Sequence, residues 1–221
     1  MIPMTYGMMN QTTRILISSI FEFAYSAFDG FRTLSKQEQT QLVHNFYPFI
    51  STLDSAYRMH KYLPERETMC LVSYASYLDV DTIATFLSDT PNSRYREEAT
   101  RMMNCYLTNE VRPMREKMKR WNPSEDEFMA FVGISFWSLE RTIVSEQVHQ
   151  MADKYREQLL RELDTLYRDI LQLDYYASRM GEALLFLASI QGSFFEMRSN
   201  LGVLKLMDVF EDHMLMAQLH E

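Results

Sequence analysis

The chain has 221 residues, 47% of them apolar, including 14 Phe, 13 Tyr and 17 Met, so it can bury a sizeable core and lacks the composition of a disordered segment. Its formal net charge is −8 without any basic block, which removes the phosphate neutralisation that drives nucleic-acid binding and the polybasic cluster of a membrane-surface protein. No run of about 18 apolar residues exists to span a bilayer, and "MIPMTYGMMNQTTR" has neither the basic leader nor the small-residue cleavage site of a secretory signal.

Six Gly and six Pro leave long unbroken periodic runs, which favour helices over a sandwich or barrel. Thr12 and Thr13 precede "RILISSIFEFAYSAF", whose Ile17, Ile20, Phe21, Ala24 and Phe28 fall at helical spacing, and Gly30 ends that helix. Ser35 with Glu38 forms a capping box for a second helix running to "HKYL"; Pro48 inside it predicts a kink or two abutting helices. "YLPERET" reads as a turn with short strands beside it, near residues 60–70. "YLDVDTIATFLS" is weakly patterned. A helix from Asn92/Ser93 to Val111 is expected to break near Pro113. Ser124 with Glu127 gives a second capping box, and the following "FMAFVGISFWSL" is apolar almost all round, as in a helix buried inside a domain. Ser145 to Leu171 reads as a long amphipathic surface helix, and Asp174 to Arg198 as another. The end, "LGVLKLMDVFEDHMLMAQLHE", is a short apolar-acidic segment. Without linker or repeat, the economical expectation is one all-α domain of nine to ten helices layered around the buried one, with residues 1–11 an N-terminal extension and 12–217 the domain.

Catalytic and metal signatures are missing from the pattern. His44, His60, His149, His213 and His220 never pair at metal spacing, and there is no HExxH, CxxC, glycine-rich phosphate loop or GxSxG elbow. Cys70 and Cys105 are too few for a disulfide framework or a cysteine zinc site and read as buried free thiols in a reducing compartment. Asp79 and Asp81 in "LDVD" read as a helix cap or solvated turn. The carboxylates of "YREQLLRELDTLYRD" read as a solvated face with i,i+4 pairs. No enzyme, cofactor or metal is expected.

The stretch "LSKQEQTQLV" resembles the signature of nuclear hormone receptor ligand-binding domains, which reads aromatic-Ala-Lys, Phe-x-x-Leu, then Asp-Gln-x-x-Leu-Leu. Here those elements are "FAY" (Phe23 to Tyr25), "FRTL" (Phe31 to Leu34) and "EQTQLV" (Glu38 to Val43). One extra residue separates the first two, and Tyr25 stands in the lysine place. Arg58, twenty residues after Glu38, matches a pocket arginine of the family. "SEDEFMAFVGISF", with Glu127, resembles the eighth helix, and "DYYASRMGEALLFL", with Arg179, the tenth. "LKLMDVFED" resembles the terminal activation helix, with Asp208 as its acid and Lys205 in one hydrophobic place. The whole is similar to the nematode set of these receptors, over residues 12 to 217. Two cysteines cannot supply the eight that the family's zinc-finger DNA-binding domain needs, so no direct DNA contact is expected from this chain.

The resemblance implies a layered helical sandwich and three sites. A coregulator groove would take an LxxLL-type helix over Thr40, Val43 and His44, between Tyr25 and the terminal Asp208 and Phe210. A pocket for a lipophilic small molecule would be lined by Arg58, Phe21, Met59, Met102 and Phe186. Glu127 and Arg179 would form a structural ion pair between two helices. The last long helix would serve a homodimer or a heterodimer with another nuclear receptor. The implied function is regulation of transcription by RNA polymerase II, in the nucleus or partly the cytoplasm, with a ligand shifting the terminal helix between docked and undocked states. The alternative is an interaction module with a filled pocket, which titrates a partner receptor.

Overall fold

Three of the helices begin where a serine side chain accepts from their first N–H groups. The computed structural model describes residues 1–138, 144–211, 215 and 219. Its α-helices are α1 (Met9–Ala27), α2 (Lys36–Tyr62), α3 (Ile83–Phe86), α4 (Arg96–Tyr106), α5 (Arg112–Trp121), α6 (Glu125–Phe136), α7 (Glu146–Thr165) and α8 (Ala177–Leu206). At α2, Ser35 Oγ accepts from Glu38 N while Glu38 Oε2 accepts from Ser35 N. Ser124 and Glu127 make the same reciprocal box at α6. Ser145 caps α7 and also donates to Glu38 Oε1 at 2.5 Å, which ties the starts of α7 and α2 together.

Two prolines behave differently from expectation. α2 runs through Pro48 as one helix, with the Ser51 and Thr52 hydroxyls donating to the Pro48 carbonyl. Pro113 does not break its helix. A π-turn, Leu107–Val111, joins α4 to α5 just before it, and the wider turn absorbs the missing N–H and the ring clash. With α4 and α5 forming one rod, the described residues make seven helical rods rather than nine to ten.

The leading residues, expected as an extension, are part of the fold. β1 (Ile2–Pro3) pairs in parallel with β3 (Ser76–Leu78), Ile2 opposite Ser76, and β2 (Cys70–Leu71) pairs antiparallel to β3, Cys70 opposite Leu78. The two-stranded turn expected near residues 60–70 is therefore a three-stranded sheet, order β1-β3-β2, lying further along the chain. Met4, Tyr6 and Met9 follow β1 into the interior, so α1 starts three residues before Thr12.

The middle of the molecule is α2, not α6. α2 packs on α1, α5, α6, α8 and β2, whereas α6 packs mainly on α2 and α7 and leaves Met129 exposed. Gly133 sets the close approach of α6 to α7, since a Cβ there would lie 2.9 Å from Leu159 Cδ1. The main core gathers α1, α2, α5, α6, α7 and α8 around Phe28, Phe31, Phe46, Phe136 and Trp137. A second cluster, around Met4, Phe86, Leu204 and Phe210, joins the first residues to the end of α8. Cys70 is half-buried, and Cys105 is exposed on α4 rather than buried as its apolar setting suggested. The expected domain end at residue 217, Asp212 of "LKLMDVFED", His213 and His220 lie outside the described residues.

Candidate functional site

The Glu-Gln pair of "LSKQEQTQLV" divides its work. Glu38 caps α2, and hydrogen bonds from Ser145 and Ser35 hold its carboxyl below the usual carboxylate range. Gln39 is buried and braces the corner between α1 and α2. Its Nε2 donates to the Phe31 and Leu34 carbonyls, both at 3.0 Å, and its Oε1 accepts from Tyr25 Oη at 2.7 Å. The Tyr25 ring meets Phe31 edge-on at 5.2 Å. Thr40, Val43 and His44 follow on one face of α2: Thr40 exposed, Val43 fully buried, His44 half-buried with burial pulling its pKa down.

The structure supplies a cation at this corner that sequence reasoning missed. Arg32 Nη2 donates to the Tyr25 carbonyl at 3.3 Å, and its guanidinium lies 5.7 Å from the Tyr25 ring centre. Arg32 thus places a positive charge beside Tyr25 near the end of α1. The signal was present in "FRTL", where an arginine stands between the two hydrophobic anchors.

Asp208 and Phe210 do not join this corner. α8 continues through Lys205 and Leu206, so "LKLMDVFED" is a helix end rather than a separate helix. Asp208 has φ 53 and donates its N–H to Lys205 O, while Val209 N donates to Leu204 O, both at 3.0 Å. That is the Schellman arrangement, with Asp in the left-handed position usually held by glycine. Phe210 is buried in the second cluster, 5.4 Å from Tyr6 and 6.1 Å from Phe86. Beyond α8, Leu215 N donates to Asn10 Oδ1 of α1, and Leu219 packs against the main core.

Between α1, α2, α5 and the sheet lies a partly open cavity of about 120 Å³. Of the five residues expected to line a pocket, Met59 lines it. Phe21 stacks near Tyr25 and Phe31, Phe186 is packed against Trp121, and Met102 packs on the second cluster. Arg58 points elsewhere. It pairs with Asp54 at 2.6 Å, donates to Ser73 O and stacks over the exposed Tyr74 ring, on a solvent-open groove of about 690 Å³ beside Tyr57 and Phe128. Asp54 stands four residues before it on the same helix face, so the charge is answered locally.

The charged residue that does line the cavity is Arg115 of α5, which is 2% exposed. It was hidden in "RPMREKMKRW", where half of the residues are basic; its spacing of four from Val111 and three to Met118, both buried, puts it on the buried side. Ser55 holds the opposite wall: its Oγ accepts from Leu71 N at 3.0 Å and lies 3.3 Å from Cys70 Sγ. Burial pushes the Cys70 thiol up, so it stays neutral.

Glu127 and Arg179 meet across α6 and α8. Arg179 Nε and Nη2 each contact one Glu127 carboxylate oxygen at 2.5 Å, and Nη2 also donates to Asn122 O at 3.1 Å. The Glu127 side chain is 0% exposed and that of Arg179 31%. Burial raises the Glu127 pKa, but the Arg179 hydrogen bonds and charge, with the Ser124 N–H, more than offset it and leave the carboxyl below its ordinary value. Such a pair holds helices together and has no reacting partner beside it. No group of three metal-ligating side chains occurs among the described residues, and no described helix is long and apolar enough to cross a membrane.

Comparison with known proteins agrees with this architecture. The family model of the ligand-binding domain of nuclear hormone receptor matches residues 3–207. Nuclear hormone receptor family member nhr-43 of Caenorhabditis elegans is 28% identical over 197 residues, 82% of this chain and 43% of that protein. Family member nhr-28 of Caenorhabditis briggsae is 24% identical over 203 residues, 88% of this chain and 45% of that protein. The chain thus spans about half the length of the curated relatives it matches. The Ultraspiracle ligand binding domain from Drosophila melanogaster superposes with a TM-score of 0.64 at 15% identity, over 95% of this chain and 77% of that one, which shows the fold. The chain belongs to the nuclear hormone receptor ligand-binding domain family.

Proposed function

We propose that this domain regulates transcription by RNA polymerase II in the nucleus, as a non-catalytic module that works through protein contacts with its interior closed to hormone-sized lipophiles. The cavity size carries this reading: about 120 Å³ falls well below the roughly 300–1,000 Å³ of pockets that enclose drug-sized ligands. A drug-sized lipophile exceeds that volume, and the larger groove of about 690 Å³ beside Arg58 is open to solvent.

The contact is a short amphipathic helix of LxxLL type at the α1–α2 corner. Thr40 and the half-buried His44 face the incoming helix above the buried Val43, and Arg32 supplies charge for its carbonyl end. Fluorescence polarisation with a labelled LxxLL peptide tests this. Saturable binding that falls at least tenfold in Arg32→Glu, with an unchanged Tm, is the expected outcome; no binding to the wild-type chain removes the corner from the proposal.

A second contact is supported by α8, where Leu184, Leu185 and Phe195 are all close to half exposed or more. Apolar side chains in such number on one helix favour a receptor partner, either a second copy or a related domain. Sedimentation velocity of the wild type and Leu185→Glu reads this directly: a dimer lost in the variant supports it, and a monomer at every concentration refutes self-association.

A further inference from the structure

We propose that Ser35 is a phosphorylation site, modified by an ATP-dependent protein kinase that reads an arginine three residues before its serine, and that the phosphate draws Arg32 off Tyr25 and releases Glu38 from the start of α7. Ser35 alone among the serines and threonines of the chain has an arginine or lysine three residues before it, and Lys36 follows it directly. Arg32, Ser35 and Lys36 are all exposed. Leu34 and Ser35 have extended backbone, with φ −73 and −60 and ψ 152 and 153, between the short 3₁₀ turn Asp29–Thr33 and α2. A kinase cleft takes its substrate extended, and a 3₁₀ turn at a helix start opens more readily than a helix interior.

In the transfer, Ser35 Oγ attacks the γ-phosphorus of ATP and the bond from that phosphorus to the β,γ-bridging oxygen breaks. ADP leaves with the electron pair, and the hydroxyl proton passes to the catalytic base of the kinase. The product carries a charge of about −1.5 to −2 and presents acceptor oxygens in place of the hydroxyl donor.

That exchange falls against a carboxylate. Ser35 Oγ donates to Glu38 Oε2 at 2.7 Å, and Glu38 Oε1 accepts from Ser145 Oγ at 2.5 Å. A phosphate on Ser35 sits at the N-terminus of α2, where helix N–H groups and the dipole favour it, and it repels the Glu38 carboxylate beside it. Glu38 turns away, and Ser145 loses its tie to α2. Among the described residues, the contacts of Arg32 are the Tyr25 carbonyl and ring rather than a carboxylate, so the phosphate offers it a charge-assisted pair that it lacks. The positive charge then leaves Tyr25. The consequence for a helical ligand rests on the peptide contact proposed above; the modification and the release of Glu38 do not.

The test incubates the full folded chain with magnesium ATP and the catalytic subunit of cAMP-dependent protein kinase, a kinase that selects basic residues before its serine. Intact mass and peptide mapping should show one phosphoryl group, on Ser35. Ser35→Ala should take none, and Arg32→Gln, which keeps the Ser35–Glu38 box and serves if Ser35→Ala fails to fold, should react about tenfold more slowly for want of one charged contact. Hydrogen exchange in the phosphorylated chain should quicken over the first turn of α7, Glu146 to His149, and stay unchanged in the middle of α8. Transfer to other residues alone, equal rates for wild type and Arg32→Gln, or unchanged exchange at the start of α7 would overturn the proposal. Where the unmodified chain binds the LxxLL peptide, phosphorylation should weaken it about tenfold, and undiminished affinity would overturn the withdrawal of Arg32. A chain that binds no peptide removes the corner contact and leaves the mass and exchange readouts to decide the site.

Discussion

Removing Arg179 tests whether the α6–α8 ion pair holds this fold together. In Arg179→Met the Glu127 carboxylate, 0% exposed, loses its cation while remaining in the core. Breaking one side of a buried pair costs about 3–5 kcal/mol. Arg179 is nearly a third exposed and water screens part of the attraction, so about 3 kcal/mol is the better expectation. For a chain of this length that is a fall in Tm of roughly 6–12 °C.

The pH dependence sharpens the test. In the wild type the folded Glu127 pKa lies below its unfolded value, so its contribution is present above the ordinary carboxylate pKa and is lost as pH falls through the folded pKa. In the variant burial is opposed only by the neutral donors such as the Ser124 N–H, and the folded pKa rises. Its penalty is full at neutral pH and is relieved as the carboxyl protonates. Urea unfolding of both proteins at about pH 7 and pH 4 should therefore show the gap narrowing with acid. Glu127→Gln in the Arg179→Met background should recover about 1–2 kcal/mol, because the buried charge is gone. A gap below about 1 kcal/mol at neutral pH, or one that is constant with pH, would refute the reasoning.

Other perturbations read other parts of the argument. Gln39→Ala takes the side-chain donor from the Leu34 carbonyl and one of two donors from the Phe31 carbonyl and should cost about 1–3 kcal/mol in chemical denaturation; a loss within about 0.5 kcal/mol would mean that Gln39 does not brace the corner. Asp208→Gly should raise stability by up to about 1 kcal/mol, since glycine takes the left-handed position without strain, and should leave LxxLL peptide affinity within twofold. A tenfold loss of affinity would instead restore Asp208 as a clamp acid. Ser55→Ala orphans the Leu71 N–H, costs about 1–2 kcal/mol, and should speed amide exchange across β2 and β3; unchanged exchange there would show that the sheet does not depend on it.

What the sequence disclosed followed how local each cause is. The two capping boxes are three-residue events, and both helices start at the expected residues. The Asp54–Arg58 pair was equally local: "DSAYR" carries an acid four residues before the arginine, and the two pair at 2.6 Å. Family spacing pointed Arg58 inward, and helix geometry overruled it. Asp208 shows the opposite failure. An apolar-acid-apolar run fits a separate amphipathic helix and also fits a helix end whose flanks are buried, and without a glycine to mark the left-handed residue the two are indistinguishable in sequence. Glu127 and Arg179, 52 residues apart, had no local signal, and only resemblance to a family brought them together. Arg115 lay between these cases. Its periodic partners Val111 and Met118 were visible, but a helix with five basic residues in ten looks solvated, and only the packing of α5 against α2 and α8 shows which one was turned inward. The cavity charge is therefore a product of tertiary placement: a helix with five basic residues turns one of them to the interior, while Arg58 is held by Asp54 on the neighbouring groove.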